Sequence, residues 1–296
     1  MSSTAMRPEA REAVYVELQP LGRHRAFLDH LYILNDVGRL TAAGRSVFAS
    51  PLCEIALARR EDTGARHHDH GDEGWISVRT APRFGQRPRQ RAFCGWMIGI
   101  RYRPPSAVFD RERTTLVGLA NALAESVGSQ NPLDDIIHNL DRWVEDLIGK
   151  YGAPEASSIP AEGRGPTVAS RAAAAGISSR TLQRHVRART GLAPKRYASL
   201  QRFNDALRHV ALDDASFAQI AADVGYSDQA HMTVDMARHA GLSPGRFRAL
   251  ARQQIRRDAV RFFKDADLQG RVRLLVCDSG APDGAAADMA RGKRER

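Results

Sequence analysis

The chain has 296 residues and carries 44 Lys and Arg against 34 Asp and Glu, giving a formal net charge of +10 and a pI near 10.1. That length leaves room for two domains with cores of their own, and the charge favours an anionic partner, nucleic acid or a membrane surface. Cys53, Cys94 and Cys277 lie far apart and outside any C-x-x-C, which argues against a disulfide framework or zinc knuckle and fits a reducing cytoplasm; no apolar leader and no run of about 18 apolar residues marks export or a membrane span.

From about residue 12 to 103 short apolar runs alternate with Gly, Pro and polar residues: AVYVELQ, HLYILND, CEIALARR, WISVRT and FCGWMIGIRYR. Their length and their β-branched and aromatic content predict strands, arranged as a small barrel or sandwich. The polar stretch from Glu61 to Gly74 reads as a loop. It holds His67, His68, Asp69, His70, Asp72 and Glu73, all capable metal ligands, but they crowd one loop, so an exposed, pH-sensitive loop is expected and no metal or other cofactor. Trp75, Trp96, Tyr102 and Trp143 are expected as core or interface aromatics.

After Pro104 and Pro105 the apolar spacing becomes three and four. TTLVGLANALAESV and LDDIIHNLDRWVEDLIGKY then predict amphipathic helices, the second capped by Asn131 with Asp134 and Asp135 near the positive end of its dipole. GAPEASSIPAEGRGP marks a linker, so residues 1–151 are read as a β-rich regulatory or oligomerisation domain and 152–166 as the linker.

Residues 167–254 say nearly the same thing twice: AAAAGISSRTLQRHVRARTGLAPKRY and AADVGYSDQAHMTVDMARHAGLSPGRF. Each copy gives a small-residue helix, a Gly turn, a polar cap, a second helix and a Gly-x-x-Pro stop. That is the pattern of a helix-turn-helix, whose second helix enters the DNA major groove. From Arg164 to Arg257 sixteen Arg and Lys face six Asp and Glu, so this segment carries nearly all of the excess charge. Residues 255–296 are read as a C-terminal tail, partly disordered, with room for a short helix or strand before its polar end.

In the first copy Ser178 caps a helix on which Leu182 and Val186 face inward, leaving Arg180, Gln183, Arg184 and Arg187 outside. Arg pairs bidentately with guanine and Gln with adenine, so this face suits base reading, with a solvated basic face as the plain alternative. In the second copy Asp228 caps, Met232 and Met236 face inward, and Gln229, Ala230, Thr233, Val234 and Ala237 face out. That set is less polar and can touch thymine methyls or an adenine. Ser178, Arg187, Arg238, Arg246 and Arg248 are expected to grip phosphates and position the module. Between the copies Tyr197, Leu200, Phe203, Leu207 and Val210 form one apolar stripe. A helix from Pro194 to Val210 would be about 25 Å long, which can hold two recognition helices about one DNA turn, or 34 Å, apart.

Through GISSRTLQRH, IAADVGYSDQAH and GLSPGRFR, residues from about Thr167 to Arg252 resemble the DNA-binding domain of the AraC-type (AraC/XylS) bacterial transcriptional regulators. The resemblance implies an all-α domain of two helix-turn-helix units joined by a long helix, behind a barrel-like, cupin-like β-rich domain with helices, an α+β chain overall. It places base contacts on Arg180, Gln183, Arg184, Gln229, Ala230, Thr233 and Val234. The family commonly has Arg at the place of Val234, an aromatic at Met236 and a basic residue at Ala237, so the second unit departs from the pattern. The expected partner is double-stranded DNA in the cytoplasm or nucleoid, with a small-molecule effector at the N-terminal domain, RNA polymerase and a second copy as further candidates. No membrane is expected.

No phosphate loop, G-x-S-x-G elbow or H-E-x-x-H is present, and none of the cysteines follows a Pro, so no enzyme is expected. The alternatives are a catalytic or metal-binding β-barrel that uses the DNA-binding domain for targeting, and nonspecific architectural binding.

Overall fold

The computed structural model of the chain describes residues 13–41, 46–60, 74–84, 87–88, 92–104, 109, 115–152, 168–174, 176–255 and 262–278. The stretch His67 to His70 with Asp69, Asp72 and Glu73, nearly all of the linker and the last 18 residues lie outside them. Strands β1 (Ala13–Leu18), β2 (Leu28–Val37), β4 (Cys53–Arg60), β5 (Trp75–Thr80) and β7 (Cys94–Tyr102) fall on the five apolar runs. They join β8 (Val272–Asp278) in one antiparallel sheet of order β5-β4-β7-β2-β1-β8, with β5 and β8 at its edges. β3 (Ser46–Val47) and β6 (Arg87–Pro88) pair as a separate short ribbon.

Register sorts the side chains. Val16, Ile33, Ile98 and Leu57 lie opposite one another across four strands, as do Leu18, Leu31, Ile100 and Ile55. This face is buried under helices α1 (Thr115–Val127) and α2 (Pro132–Tyr151), which supply Leu119, Leu123, Ile136, Leu140 and Leu147. Trp96, Tyr102 and Trp143 belong to the same core, and Trp75 packs at its margin. The expected cap is a correction: the side chain of Asn131 makes no capping hydrogen bond to α2. Its backbone carbonyl accepts from Asp135, and Pro132 starts the helix where a missing N–H costs nothing.

The opposite face is polar near its centre. Tyr15 donates to Glu17 at 2.7 Å, Tyr32 donates to Glu54, and the Arg101 guanidinium lies 5.3 Å from the centre of the Tyr32 ring. Burial raises the pKa of both tyrosine hydroxyls, and the neighbouring carboxylates raise it further, so both stay protonated donors.

Over residues 266–278 the expected C-terminal tail is instead part of the N-terminal domain. Helix α9 (Ala266–Arg271) leads into β8, which pairs with β1 from Ala13↔Asp278 to Leu18↔Val272. Phe263, Leu268, Leu275 and Cys277 are buried in the sheet–helix core. Asp134 accepts from the backbone N–H groups of Lys264 and Asp265, and Arg271 makes a two-bond fork to Asp141 at 2.6 and 3.0 Å. The segment is apolar on one side and has a free strand edge to pair with, which is why it docks.

Between α2 and α9 the described residues form six helices: α3 (Val168–Ala174), α4 (Ser179–Thr190), α5 (Pro194–Leu212), α6 (Phe217–Asp223), α7 (Gln229–Ala240) and α8 (Pro244–Gln254). The stripe Leu200, Phe203, Leu207 and Val210 of α5 packs with Ile220, Met232 and Met236, while Tyr197 closes a smaller core with Ala172, Leu182 and Val186.

The N-terminal domain touches the larger of these cores. Phe48 and Phe84, beside the β3–β6 ribbon, pack on Phe247 of α8 and His239 of α7, with ring centres 5.9 and 4.7 Å apart. Asp29 of β2 receives Arg208 of α5 at 2.5 Å, Arg273 of β8 at 3.1 Å and Arg103 at 3.5 Å. Burial alone would raise the Asp29 pKa. The hydrogen bond and charge of His30, with Arg273 and Arg103, outweigh it and lower the value to about 2.

Candidate nucleic-acid interface

The two units are built alike from their backbones up. In the first, the N–H of Ile177 returns to the carbonyl of Ala172 at 3.0 Å across Gly176; in the second, the N–H of Tyr226 returns to Ala221 at 2.8 Å across Gly225. Both glycines sit at positive φ, +65° and +85°, where a Cβ is disfavoured. Each following helix opens on a side-chain cap: Ser178 accepts from the N–H of Thr181 at 3.1 Å, and Asp228 from that of His231 at 2.7 Å. Gly191 and Gly241 end α4 and α7 in the left-handed conformation.

On α4 Leu182 and Val186 are buried, and Arg180, Gln183, Arg184 and Arg187 are exposed together on the opposite side. Among the described residues no salt bridge or side-chain hydrogen bond engages these three arginines. An exposed, uncommitted guanidinium row on a capped helix can meet base edges or phosphates without breaking an internal bond.

Helix α7 presents a different surface. Met232 and Met236 are fully buried, whereas Gln229, Ala230 and Ala237 are exposed and Val234 is 58% exposed. Thr233 is half-buried and turns its hydroxyl back to the carbonyl of Gln229 at 2.9 Å. Its methyl, more than its hydroxyl, is therefore the group left to meet a partner.

Of the residues expected to hold phosphates, Arg187, Arg238 and Arg246 are exposed, and Ser178 is engaged as the cap of α4. Arg248 is half-buried and differs from them in its surroundings. It donates to the carbonyls of Val210 at 3.2 Å and Ala215 at 2.8 Å, and its guanidinium lies 4.2 Å from the centre of the Phe217 ring. It closes the end of α5, whose last carbonyls need donors, so part of its guanidinium is committed within the domain.

One functional group escaped the sequence pattern: Asp235, on the inner side of α7 and 5% exposed. Its carboxylate accepts from Ser199 of α5 at 3.1 Å and from the hydroxyl of Tyr226, in the turn, at 3.2 Å. Burial and this carboxylate both raise the Tyr226 pKa, which keeps the hydroxyl a donor. His239 lies one turn on, 3.8 Å from Asp235 and fully buried beneath Phe84; burial lowers its pKa, so the ring is neutral. Spacing alone would assign Asp235 and His239 to the buried face, and that conflict with their polarity was the available signal.

A helix-turn-helix domain family matches residues 171–250. A putative AraC-like transcription regulator of Streptomyces lividans is 26% identical over 150 residues, 50% of this chain and 47% of that protein, so the chain spans about half the length of this curated relative. The DNA-binding domain of AdpA, a global transcriptional factor solved in complex with a target DNA, is 32% identical over 29% of this chain and 78% of that one, with a TM-score of 0.29. ToxT of Vibrio cholerae is similar over 81% of this chain and 97% of its own, at 8% identity and a TM-score of 0.34.

Proposed function

We propose, from the helix-turn-helix domain at residues 171–250 and the likeness to an AraC-like regulator, that the protein is a sequence-specific DNA-binding transcriptional regulator of the AraC type. The two units present α4 and α7 to successive major grooves, and they do so unequally. The observation that carries this reading is the exposed, uncommitted set Arg180, Gln183, Arg184 and Arg187 on α4. Arg180, Gln183 and Arg184 read bases. Gln229, Ala230, Thr233 and Val234 add weaker contacts biased to A·T, while Arg187, Arg238 and Arg246, with Ser178 at the helix start, hold the backbone.

Control enters at the N-terminal domain. The polar face of the sheet, with Tyr15, Glu17, Glu54 and Arg101, offers donors and acceptors to a small-molecule effector, and the contacts of Asp29 with Arg208 join that sheet to α5. A second copy of the chain and RNA polymerase complete the set of partners, and the bacterial cytoplasm, at the nucleoid, is the site of action. No helix among the described residues is long and apolar enough to cross a membrane. The function requires no catalytic step.

The test is Arg184→Ala on a site selected from random DNA. It should cost about 1–3 kcal/mol on the selected site and relax preference at one base pair, whereas Val234→Ala changes little. Equal losses on selected and scrambled DNA would remove the base-reading role.

A further inference from the structure

Helix α7 is apolar on two sides. Met232, Met236 and Ala240 are buried, yet Ala230, Val234 and Ala237 are exposed on the other flank. Hydrophobic burial ordinarily sets how a helix is rolled about its axis, because only one stripe is apolar. Here that rule barely discriminates. The two buried methionines add little, since unbranched thioethers adapt to many packings and specify few. In α4 the same two places hold Leu182 and Val186, which have better-defined rotamers, and the exposed side is charged.

What distinguishes the inner side of α7 is Asp235. Its carboxylate meets two hydroxyl donors from two different elements, Ser199 on α5 and Tyr226 in the turn, so its position is fixed from two directions. The guanidinium of Arg202, also on α5, lies 5.4 Å from the centre of the Tyr226 ring and holds that donor in place. The surroundings are dry. His239 is fully buried, with Phe84 of the N-terminal domain edge-on at 4.7 Å and Phe203 at 5.0 Å. In such a setting a satisfied polar network is strong and an unsatisfied one costly, so rolling α7 away from this arrangement would strand a buried carboxylate.

We infer that Asp235 is a positioning residue for DNA recognition: its bonds to Ser199 and Tyr226 fix the roll of the second recognition helix and so decide which of its small side chains face the groove. The assignment rests on the second unit contacting bases, as proposed above. Asp235 itself touches no DNA. It acts through α7, and the weak, apolar reading surface of that helix makes its orientation matter more, because methyl contacts have short range and no charge to compensate for a misplaced helix.

The full-length protein tests this with Asp235→Leu and Asp235→Asn on a selected site and on two versions scrambled in one half each. Leu keeps the volume and apolar character of a core residue; Asn keeps an acceptor. In Asp235→Leu the preference for the intact over the scrambled second half should fall at least fivefold while preference in the first half is unchanged, and Asp235→Asn should restore it to within twofold. Ser199→Ala and Tyr226→Phe, each removing one donor, should fall between and serve if the Leu variant does not fold. An unchanged second-half preference in all of them, or parallel loss in both halves, overturns the assignment. If the wild-type protein shows no preference in the second half, the assignment also fails. The base-reading role of Arg184 then still stands or falls on its own substitution.

Discussion

Arg184 and Arg248 are the same side chain in the same domain, and their neighbours give them opposite duties. Arg248 stands beside one carbonyl at the end of α5, one in the turn that follows and an aromatic ring, and among the described residues nothing binds Arg184. Removing Arg248 should therefore lower stability by about 1.5–3 kcal/mol, the range for hydrogen bonds to a charged group, and leave the salt dependence of DNA binding unchanged. Denaturant unfolding and a salt titration check the two parts. Asp205 on α5 gives a prediction with a pH sign. Burial, and then the nearby charge of Asp29, raise its pKa from 3.8 to about 6 despite His209, Arg103 and Arg273. Its ionised form is thus disfavoured in the folded protein, a penalty present in full above about pH 6 and lost as pH falls toward 3.8. Asp205→Asn should raise the melting temperature at pH 7.5, and the difference should vanish near pH 4.

At the scale of elements, the C-terminal strand is the least expected part and the most consequential for stability. Leu275 of β8 is buried among β1, β2 and the helices, so Leu275→Ala should cost about 2–5 kcal/mol, read as a loss of melting temperature of the N-terminal domain. The five strands before β8 were legible because each is a contiguous apolar run between turn residues, and both amphipathic helices because their spacing is strict. For β8 only a short helix or strand could be expected, and its pairing was not legible, since its partner β1 lies more than 250 residues earlier and a strand edge far away in sequence leaves no local mark. The β3–β6 ribbon, two residues on each strand, is too short to carry a period. In the candidate interface the caps, glycine turns and inward pairs could be read directly from residue types. Arg248 and Asp235 could not, because their roles are set by carbonyls and hydroxyls that the fold brings from other helices.

Across the whole molecule the charge is divided as the fold is. Nearly all of the net positive charge belongs to the segment from Arg164 to Arg257, which contains α3 to α8. DNA affinity should accordingly fall steeply with salt, and Arg187→Ala should reduce the slope of log K against log salt by about 1 without changing which sequence is preferred; filter binding between 50 and 200 mM salt, as a rough working range, measures both. The two units also differ in what holds them. The second is gripped by Phe48, Phe84 and, through α5, Asp29, whereas the small core of the first contains only residues of its own domain.

The return of β8 to β1 means that the chain leaves the sheet after α2 to form α3 to α8 and rejoins it at α9. On the second side the end of α8 is tied to the sheet itself, since Ile255 bridges to Val276 of β8. A twist of the β1–β8 edge would therefore be felt at the end of α8 and, through its packing on α5, at the two helix-turn-helix units.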